Sequence, residues 1–293
     1  MYDLYKIYKR YKSNYKNYIS VILNVYKKNN NINVILTDGS RYEWDYKKIR
    51  FYTLLPRNLK NKEFINNYNN NSDYIMVKFN KEYIKLYGVN EGNGDISCVF
   101  INNDYKFLNP ENEFIIDIGA NIGDSSIYFA LNNAKKVIAL EPYPYSYNFA
   151  LKNININNLN DKIILLNAGY GEDSEIKVDE NKITNAATDL VQSNKGKSIK
   201  IYSLKTLINS YGLDNDLLLK MDCEGCEYNL LNEDCDILKK FKRIQLEYHH
   251  GYNKLINKLR ENNFNVKYTE PRKSYNKQYK RTMNIGYIYA ERL

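Results

Sequence analysis

The sequence predicts an α/β fold, in which a mostly parallel sheet occupies the C-terminal two thirds of the chain after a smaller α+β region. Two observations predict it. From about Tyr105, short apolar runs alternate with helical stretches of roughly ten residues, as in sheets with crossover helices. One of these runs leads directly into a glycine-bearing turn, the place where such sheets bind ligands. We assign residues 1–104 to an N-terminal helical and β accessory region and residues 105–293 to the main domain.

The N-terminal region begins with an apolar pattern at helical spacing, which predicts one basic, Tyr-rich helix over residues 1–30. Residues 33–37 and 41–44 flank a tight turn at Asp38-Gly-Ser and predict two strands. An Asn-dense stretch at 66–73 predicts a loop, and the runs at 74–79 and 83–89 predict two further strands before a turn at 90–95.

The main domain contains seven apolar runs and four helix-spaced segments. The strands are predicted at 114–118, 136–140, 163–166, 217–221, 244–246, 264–268 and 284–290. The helices are predicted at 125–132, 145–156, 204–211 and 252–262. This alternation is typical of βαβ units, so the strands should be mostly parallel.

Composition indicates a folded protein, since 43% of the 293 residues are hydrophobic and 26% are charged. The net charge of +9 would attract nucleic acid or anionic lipid, but Lys scattered over a solvated surface gives the same sum. The first residues lack an apolar core with a cleavage site, and no run of about 18 apolar residues occurs. We therefore expect a cytoplasmic protein without a transmembrane segment.

The strongest motif is a buried strand that runs into a glycine turn and a helix, Phe114-Ile-Ile-Asp-Ile-Gly-Ala-Asn-Ile-Gly-Asp-Ser-Ser. Gly119 permits a positive φ and lets a ligand lie against the backbone, and Gly123 opens the helix close to the sheet. Glu141 ends the next strand 22 residues after Gly119, near the roughly 20-residue interval at which an acid meets the ribose of an adenosine cofactor. The segment is therefore Rossmann-like.

The same turn disfavours a dinucleotide, because only the first glycine of the G-x-G-x-x-G fingerprint is present. Asp117 would repel phosphate but suits an ammonium group. S-adenosyl-L-methionine offers an ammonium group, a sulfonium charge and a ribose diol, so we predict it as the cofactor. The predicted cofactor-binding residues are Asp117, Gly119, Asn121, Gly123, Asp124, Ser125, Glu141 and Pro142.

Residues from about Tyr105 to Tyr289 resemble the FkbM family of class I methyltransferases. Four segments carry the resemblance: Asp117-Ile-Gly-Ala-Asn-Ile-Gly-Asp-Ser, Ala139-Leu-Glu-Pro-Tyr-Pro, Asn153-Ile-Asn-Ile-Asn and Lys220-Met-Asp-Cys-Glu-Gly-Cys-Glu. The resemblance implies a Rossmann-like seven-stranded methyltransferase sheet with a reversed final strand and S-adenosyl-L-methionine as cofactor. It also implies O-methylation of a hydroxyl on a sugar, glycan or other small metabolite.

A second motif ends the strand at 217–221 with acids around a glycine turn, which should face the cofactor crevice. Methyl transfer to a hydroxyl requires in-line alignment and a positioned base. We predict Asp222, Glu224 and His249 as catalytic residues: Asp222 for the cofactor's amino-acid end or the acceptor hydroxyl, the other two for acceptor binding or proton removal. For Glu227, capping of a helix is the favoured alternative.

No metal site is predicted. Cys223, Cys226 and Cys235 offer three thiols but no fourth ligand at a zinc spacing. Spacing does not indicate a divalent cation at Asp222 and Glu224 either. Four cysteines in a chain of this length suggest no disulfide framework, so we expect reduced thiols. The resemblance to the FkbM family, in which small or apolar residues are usual at the positions of Cys223 and Cys226, implies that these thiols act as compact packing groups.

Three other function classes compete with a methyltransferase acting on a small-molecule or glycan acceptor. A nucleic-acid-binding protein or RNA methyltransferase would use the basic Tyr/Lys-rich N-terminus, but no RNA-binding signature occurs, so nucleic acid is disfavoured. A nonenzymatic adaptor is disfavoured by the joint presence of both acidic motifs. A nicotinamide dehydrogenase is disfavoured by the missing glycines. The sequence specifies neither the acceptor nor the oligomeric state.

Overall fold

The computed structural model describes residues 2–54, 74–79, 82–89, 96–182, 184, 190–276 and 281–293. The loop predicted at 66–73 and the turn predicted at 90–95 lie outside the described residues. Contacts divide the chain into two compact units, Met1–Asn90 and Glu91–Leu293. Asp104, which falls in the N-terminal region assigned from the sequence, lies in the second unit, where its carbonyl accepts a hydrogen bond from the Gln245 side-chain amide at 2.9 Å. The domain boundary predicted after residue 104 stays a prediction.

The first unit contains three helices and two hairpins in its described part. Its elements are α1 (Tyr2–Asn14), α2 (Tyr18–Tyr26), β1 (Ile32–Ile35), β2 (Arg41–Trp44), α3 (Tyr46–Leu54), β3 (Tyr74–Phe79) and β4 (Glu82–Tyr87). β1 pairs with β2 and β3 with β4, both antiparallel. The two hairpins agree with the strands predicted there, whereas α3 was not predicted.

The prediction of a single helix over residues 1–30 is wrong, because the helix is interrupted between α1 and α2. Tyr15 forms an isolated antiparallel bridge with Leu36, and the Lys16 amide donates to the carbonyl of Ile35 at 2.7 Å. The Ile35 amide in turn donates to the Asn17 side chain at 2.9 Å. Backbone pairing with the end of β1 thus replaces the helical hydrogen bonds that periodicity alone would predict.

The second unit carries the alternating pattern. Its strands are β5 (Phe114–Ile118), β6 (Lys136–Leu140), β7 (Ile163–Leu166), β8 (Ala168–Tyr170), β9 (Ser174–Val178), β10 (Lys197–Tyr202), β11 (Leu217–Met221), β12 (Phe241–Tyr248), β13 (Phe264–Tyr268), β14 (Arg272–Asn276) and β15 (Arg281–Arg292). Its α-helices are α4 (Asp124–Leu131), α5 (Pro144–Ile156), α6 (Leu204–Ser210), α7 (Cys235–Leu238) and α8 (Asn253–Glu261). Shorter helical turns cover Ser97–Ile101, Asp104–Leu108 and Cys226–Asn232.

The main sheet has the strand order β13-β15-β12-β11-β5-β6-β7, with β14 paired to β15 at the side. β12, β11, β5, β6 and β7 are parallel to one another. β15 is antiparallel to both β12 and β13. This arrangement confirms the Rossmann-like seven-stranded sheet with a reversed final strand. A separate three-stranded sheet, β8-β10-β9, was not predicted.

The central parallel strands β5, β6 and β11 are buried on both faces, as their nearly continuous apolar sequences require. All five residues of β11 are buried, and the core cluster extends from there across β12 and α8. Because neighbouring parallel strands end at the same edge, the carboxyl ends of β5, β6, β11 and β12 meet there. None of the helices in the described ranges is long and apolar enough to cross a membrane.

Candidate active site

A cavity lies at the carboxyl ends of β5, β6 and β11. Four of the predicted cofactor residues line it: Gly119, Asn121, Glu141 and Pro142. Its wall also includes residues that the sequence did not single out: Tyr143, Ser146, Ala168, Gly169, Tyr170, Thr184 and Leu190. Tyr143 directly follows the Glu141-Pro142 motif and Ser146 lies in the helix predicted at 145–156, but the other five come from segments without a recognisable pattern.

Gly119 brings the ends of β5 and β11 into contact. Its φ is +79°, and a Cβ at this position would lie 1.9 Å from the carbonyl oxygen of Asp222. The Asp222 amide also donates to the carbonyl of Ile118 at 3.1 Å. Only glycine therefore fits between the two strand ends, because the Asp222 carbonyl occupies the place of a side chain.

Glu141 is fixed on the cavity wall through both carboxylate oxygens. Oε2 accepts from the Asn121 amide and Oε1 from the Tyr143 amide, each at 2.9 Å. Burial raises the pKa of Glu141 to about 7. Nearby, the Asn121 side-chain oxygen is buried and has no hydrogen-bond partner within the described ranges. Both groups therefore suit a ligand that donates hydrogen bonds, as a ribose diol and an ammonium group do.

Asp117 lies behind the cavity rather than on its wall. Its Oδ2 accepts hydrogen bonds from Ser125 at 2.7 Å and Ser126 at 2.6 Å, which fixes the start of α4. Its Oδ1 lies 3.0 Å from Nζ of the buried Lys220. Burial opposes the Lys220 charge, but Asp117 and Asp222 outweigh that effect and raise the pKa of Lys220. The carboxylate of Asp117 is therefore already paired with a cation of the protein.

Gly123, Asp124 and Ser125 likewise stand at the turn and the start of α4, and they are not among the residues that line the cavity. Gly123 has φ +83° and packs against α5, where a Cβ would lie 3.3 Å from that of Ala150. These residues shape the turn that carries Gly119 and Asn121. Their direct contact with a cofactor, and that of Asp117, stays a prediction.

The predicted catalytic residues come together at the carboxyl ends of β11 and β12. Asp222 and Glu224 line the cavity, and His249 lies behind them. One ligand atom from each of the three lies within 4.8 Å of those of the other two. The sequence placed these groups at one edge of the sheet, and the structure adds that they form one cluster.

His249 is buried between two glutamates. Its Nδ1 is 3.0 Å from Oε1 of Glu227, and its Nε2 is 3.4 Å from Oε1 of Glu224. Burial disfavours the charged ring, but the hydrogen bonds with both glutamates outweigh burial and raise the pKa of His249 to about 11. Held as an imidazolium, the ring has no lone pair with which to remove a proton. Its predicted action as a base stays untested.

Glu247 was not chosen from the sequence as a site residue, although it also ends β12. Burial and the nearby Asp222 raise the pKa of Glu247 to about 8. Its Oε1 lies 3.6 Å from Arg272. Its place two residues before His249 is the signal that would have identified it, since alternate residues of an extended chain point to the same side.

Cys223 and Cys226 form a disulfide, which corrects the expectation of reduced packing thiols. The turn between them brings their Cα atoms to 5.5 Å, because Glu224 has φ +56° and Gly225 has φ +124°. Both cysteines line the cavity. Cys98 and Cys235 are not disulfide-bonded. A C-x-x-C ring thus encloses the backbone of the predicted catalytic Glu224.

The family described as Methyltransferase FkbM domain matches residues 117–266. Methyltransferase sdnD of Sordaria araneosa is 26% identical over 168 residues, which cover 45% of this chain and 65% of that protein. The tRNA (guanine(37)-N(1))-methyltransferase Trm5b of Methanocaldococcus jannaschii is 28% identical over 131 residues, covering 44% and 35%. The chain thus spans less than two thirds of the length of either relative.

Two solved structures from M. jannaschii are similar to the chain at 15% identity. TYW2 in complex with AdoMet gives a TM-score of 0.41 and covers 76% of this chain and 88% of that chain. The tRNA m1G37 methyltransferase gives a TM-score of 0.42 and covers 76% and 55%.

Proposed function

Because this chain belongs to the FkbM family of S-adenosylmethionine-dependent methyltransferases, we propose that it transfers a methyl group to a hydroxyl of a sugar, glycan or other small metabolite. The observation that supports this proposal is the carboxylate pair of Asp222 and Glu224 on the wall of the cavity. Carboxylates accept hydrogen bonds from hydroxyl groups and can take up their protons. They repel phosphate, which disfavours a nucleic-acid backbone at the same place.

The residues of the cavity fit the cofactor. S-adenosylmethionine supplies a methyl group that its sulfonium charge makes electrophilic. Glu141 would accept hydrogen bonds from the ribose diol, since its oxygens are fixed at the wall by backbone amides. The side-chain oxygen of Asn121, which has no hydrogen-bond partner among the described residues, would accept from the ammonium end. Asp222 would face the positive region of the cofactor, where a carboxylate is electrostatically favourable.

The acceptor would bind against the acidic loop that follows β11. Asp222 would orient its hydroxyl, and Glu224, whose Oε2 is buried without a hydrogen-bond partner in the described chain, would receive its proton. His249 would hold Glu224 in place through its 3.4 Å contact. Alignment and proton removal together are what transfer from an activated methyl carbon requires.

RNA methylation is the second candidate. It is supported by the name of the tRNA methyltransferase relative and by α1, where Lys9 Nζ lies 4.7 Å from the ring centroid of the exposed Tyr5. Exposed lysines next to aromatic rings bind single-stranded nucleic acid through phosphate contacts and stacking. The acidic cluster at the reacting end argues against it.

Methyl-labelled S-adenosylmethionine distinguishes the two candidates. The protein is incubated with a pool of sugars and glycans and, separately, with total RNA, and the label is counted in each. We expect label in the sugar and glycan pool. Asp222→Asn should lower transfer by about 10²-fold or more while S-adenosylhomocysteine still binds. The exposed Asp214→Asn is the matched control. Label in RNA, with binding that weakens steeply with salt, would refute the proposal.

A further inference from the structure

Asp222, Glu224 and His249 present three side chains of the kinds that bind metal ions. They follow β11 and β12, two neighbouring parallel strands, and their ligand atoms lie within 4.8 Å of one another. Two carboxylate oxygens and one imidazole nitrogen form a donor set for divalent cations such as Mn²⁺. Because Asp222 and Glu224 also line the cavity, a cation here would lie beside the cofactor site.

Glu227 gives His249 the setting of a metal-binding histidine. Metal-bound histidines usually donate their second ring N–H to a carboxylate, which fixes the tautomer and the ring. Here Nδ1 lies 3.0 Å from Oε1 of the fully buried Glu227. That carboxylate is itself fixed, since it accepts from the His249 amide at 3.0 Å and from the Gly225 amide at 2.8 Å. Nε2 is therefore directed toward Glu224.

Glu224 supplies a second indication, because one of its carboxylate oxygens lacks a partner among the residues that the structure describes. Its Oε1 faces His249 at 3.4 Å, but its Oε2 is buried and has no hydrogen-bond partner in the described chain. A buried carboxylate oxygen without a partner is costly, and a cation bound there removes the cost. The side chain of Glu224 is 13% exposed, so it remains reachable from the cavity.

We propose that Asp222, Glu224 and His249 bind one divalent cation, with Nε2 of His249 releasing its proton to solvent as it coordinates. The imidazole then binds the cation through Nε2 and donates from Nδ1 to Glu227. The catalytic use of this site rests on the proposed function. A cation beside the cavity polarises an acceptor hydroxyl and eases loss of its proton, so the carboxylates act on the acceptor through the cation.

Mn²⁺ is the probe that tests the site, because free Mn²⁺ has an electron paramagnetic resonance signal that is lost on binding. The full chain is titrated without cofactor or acceptor, in buffer without reductant so that the disulfide stays closed. We expect one saturable site. His249→Ala and Glu224→Gln should each weaken Mn²⁺ binding at least about tenfold. His250→Ala, which removes the chain's other histidine from the exposed neighbouring position, should leave binding unchanged.

Circular dichroism shows whether each variant folds. If His249→Ala does not fold, the Mn²⁺ affinity of Glu224→Gln alone tests the proposal. No saturable Mn²⁺ binding by the wild-type protein, or equal binding by wild type and Glu224→Gln, overturns the proposal and leaves the cluster as an ion pair. S-adenosylhomocysteine calorimetry and methyl transfer are measured separately. Cofactor binding without Mn²⁺ binding refutes only the cation site, whereas Mn²⁺ binding without transfer to any hydroxyl refutes only the proposed function.

Discussion

At the scale of single residues, Glu141 makes cofactor binding depend on pH. Burial raises its pKa to about 7, and ribose hydroxyls donate to the ionised carboxylate, so binding should favour the deprotonated form. Affinity for S-adenosylhomocysteine should rise about tenfold between pH 6 and pH 8 and then level off. Calorimetry across this range measures it. Glu141→Gln should bind more weakly and show a flat profile, whereas the exposed Glu172→Gln should match the wild type.

The raised pKa of Glu141 also makes the stability of the ligand-free protein depend on pH, but stability should fall as pH rises whereas cofactor affinity should increase. The folded-state pKa of Glu141 is above the ordinary value of 4.5. Its contribution to the free energy of unfolding is therefore fully present below pH 4.5 and is lost as pH rises through about 7. Urea unfolding of wild type and Glu141→Gln at several pH values measures this. The raised pKa of Glu141 would be contradicted if affinity and the free energy of unfolding changed with pH in the same way in the wild type and in Glu141→Gln.

Gly119 and Gly212 form a matched pair for testing the close contact between the ends of β5 and β11. Both have positive φ, but a Cβ on Gly119 meets the Asp222 carbonyl at 1.9 Å, whereas one on Gly212 meets nothing within 4 Å. Gly119→Ala should lower the free energy of unfolding by about 3 kcal/mol or more and abolish cofactor binding. Gly212→Ala should cost only about 1–2 kcal/mol and spare binding. Thermal denaturation and calorimetry compare the two variants. Equal losses of stability and binding would show that the positive φ, and not the contact with Asp222, causes the effect of Gly119→Ala.

At the scale of elements, the disulfide ring should control the loop after β11. A chain-entropy argument for a ring of this size gives about 2 kcal/mol of stabilisation. Opening the ring with a phosphine reductant should weaken S-adenosylhomocysteine binding, because Cys223 and Cys226 both line the cavity. The double variant Cys223→Ser, Cys226→Ser should bind weakly with or without reductant, and Cys235→Ser should respond like the wild type. This prediction would be refuted if the wild type bound S-adenosylhomocysteine equally well before and after reduction.

Periodicity predicted the elements whose stability is local or whose burial is uniform. β5, β6, β7, β11 and β13 have the predicted bounds. β5, β6 and β11 are mostly apolar runs buried on both faces, whereas β13 alternates buried and exposed residues over its first four positions, and both patterns are visible in the sequence. β8 and β9 were not predicted, since β8 is three residues long and β9 is mostly exposed. The break between α1 and α2 was also missed, because it depends on pairing with β1, which no local pattern encodes.

The candidate site divides in the same way. Gly119, Glu141 and Asp222 could be predicted because they follow strands that end at one edge of the sheet. The pairing of Asp117 with Lys220 could not, since those residues are far apart in sequence and meet only across β5 and β11. The Cys223–Cys226 bond depends on two positive φ angles in the intervening turn, and spacing alone does not reveal these.

At the scale of the whole molecule, the described residues that line the cavity all belong to the unit Glu91–Leu293. A protein of residues 91–293 should therefore bind S-adenosylhomocysteine with the affinity of the full chain. Calorimetry on both proteins measures this, after circular dichroism has shown that the shorter one folds. A folded but non-binding fragment would show that residues 1–90 contribute to the cofactor site after all.

The place of β15 in the sheet has a consequence for biosynthesis. β15 pairs with β12 from Arg243 to Tyr248, yet it follows β12 in the chain only after α8, β13 and β14. A chain truncated before residue 281 would lack β15, so β12 could pair with β11 on one side while its backbone amides and carbonyls on the other side stayed unpaired. Such an edge recruits other strands, so incomplete chains of this length should aggregate or bind chaperones.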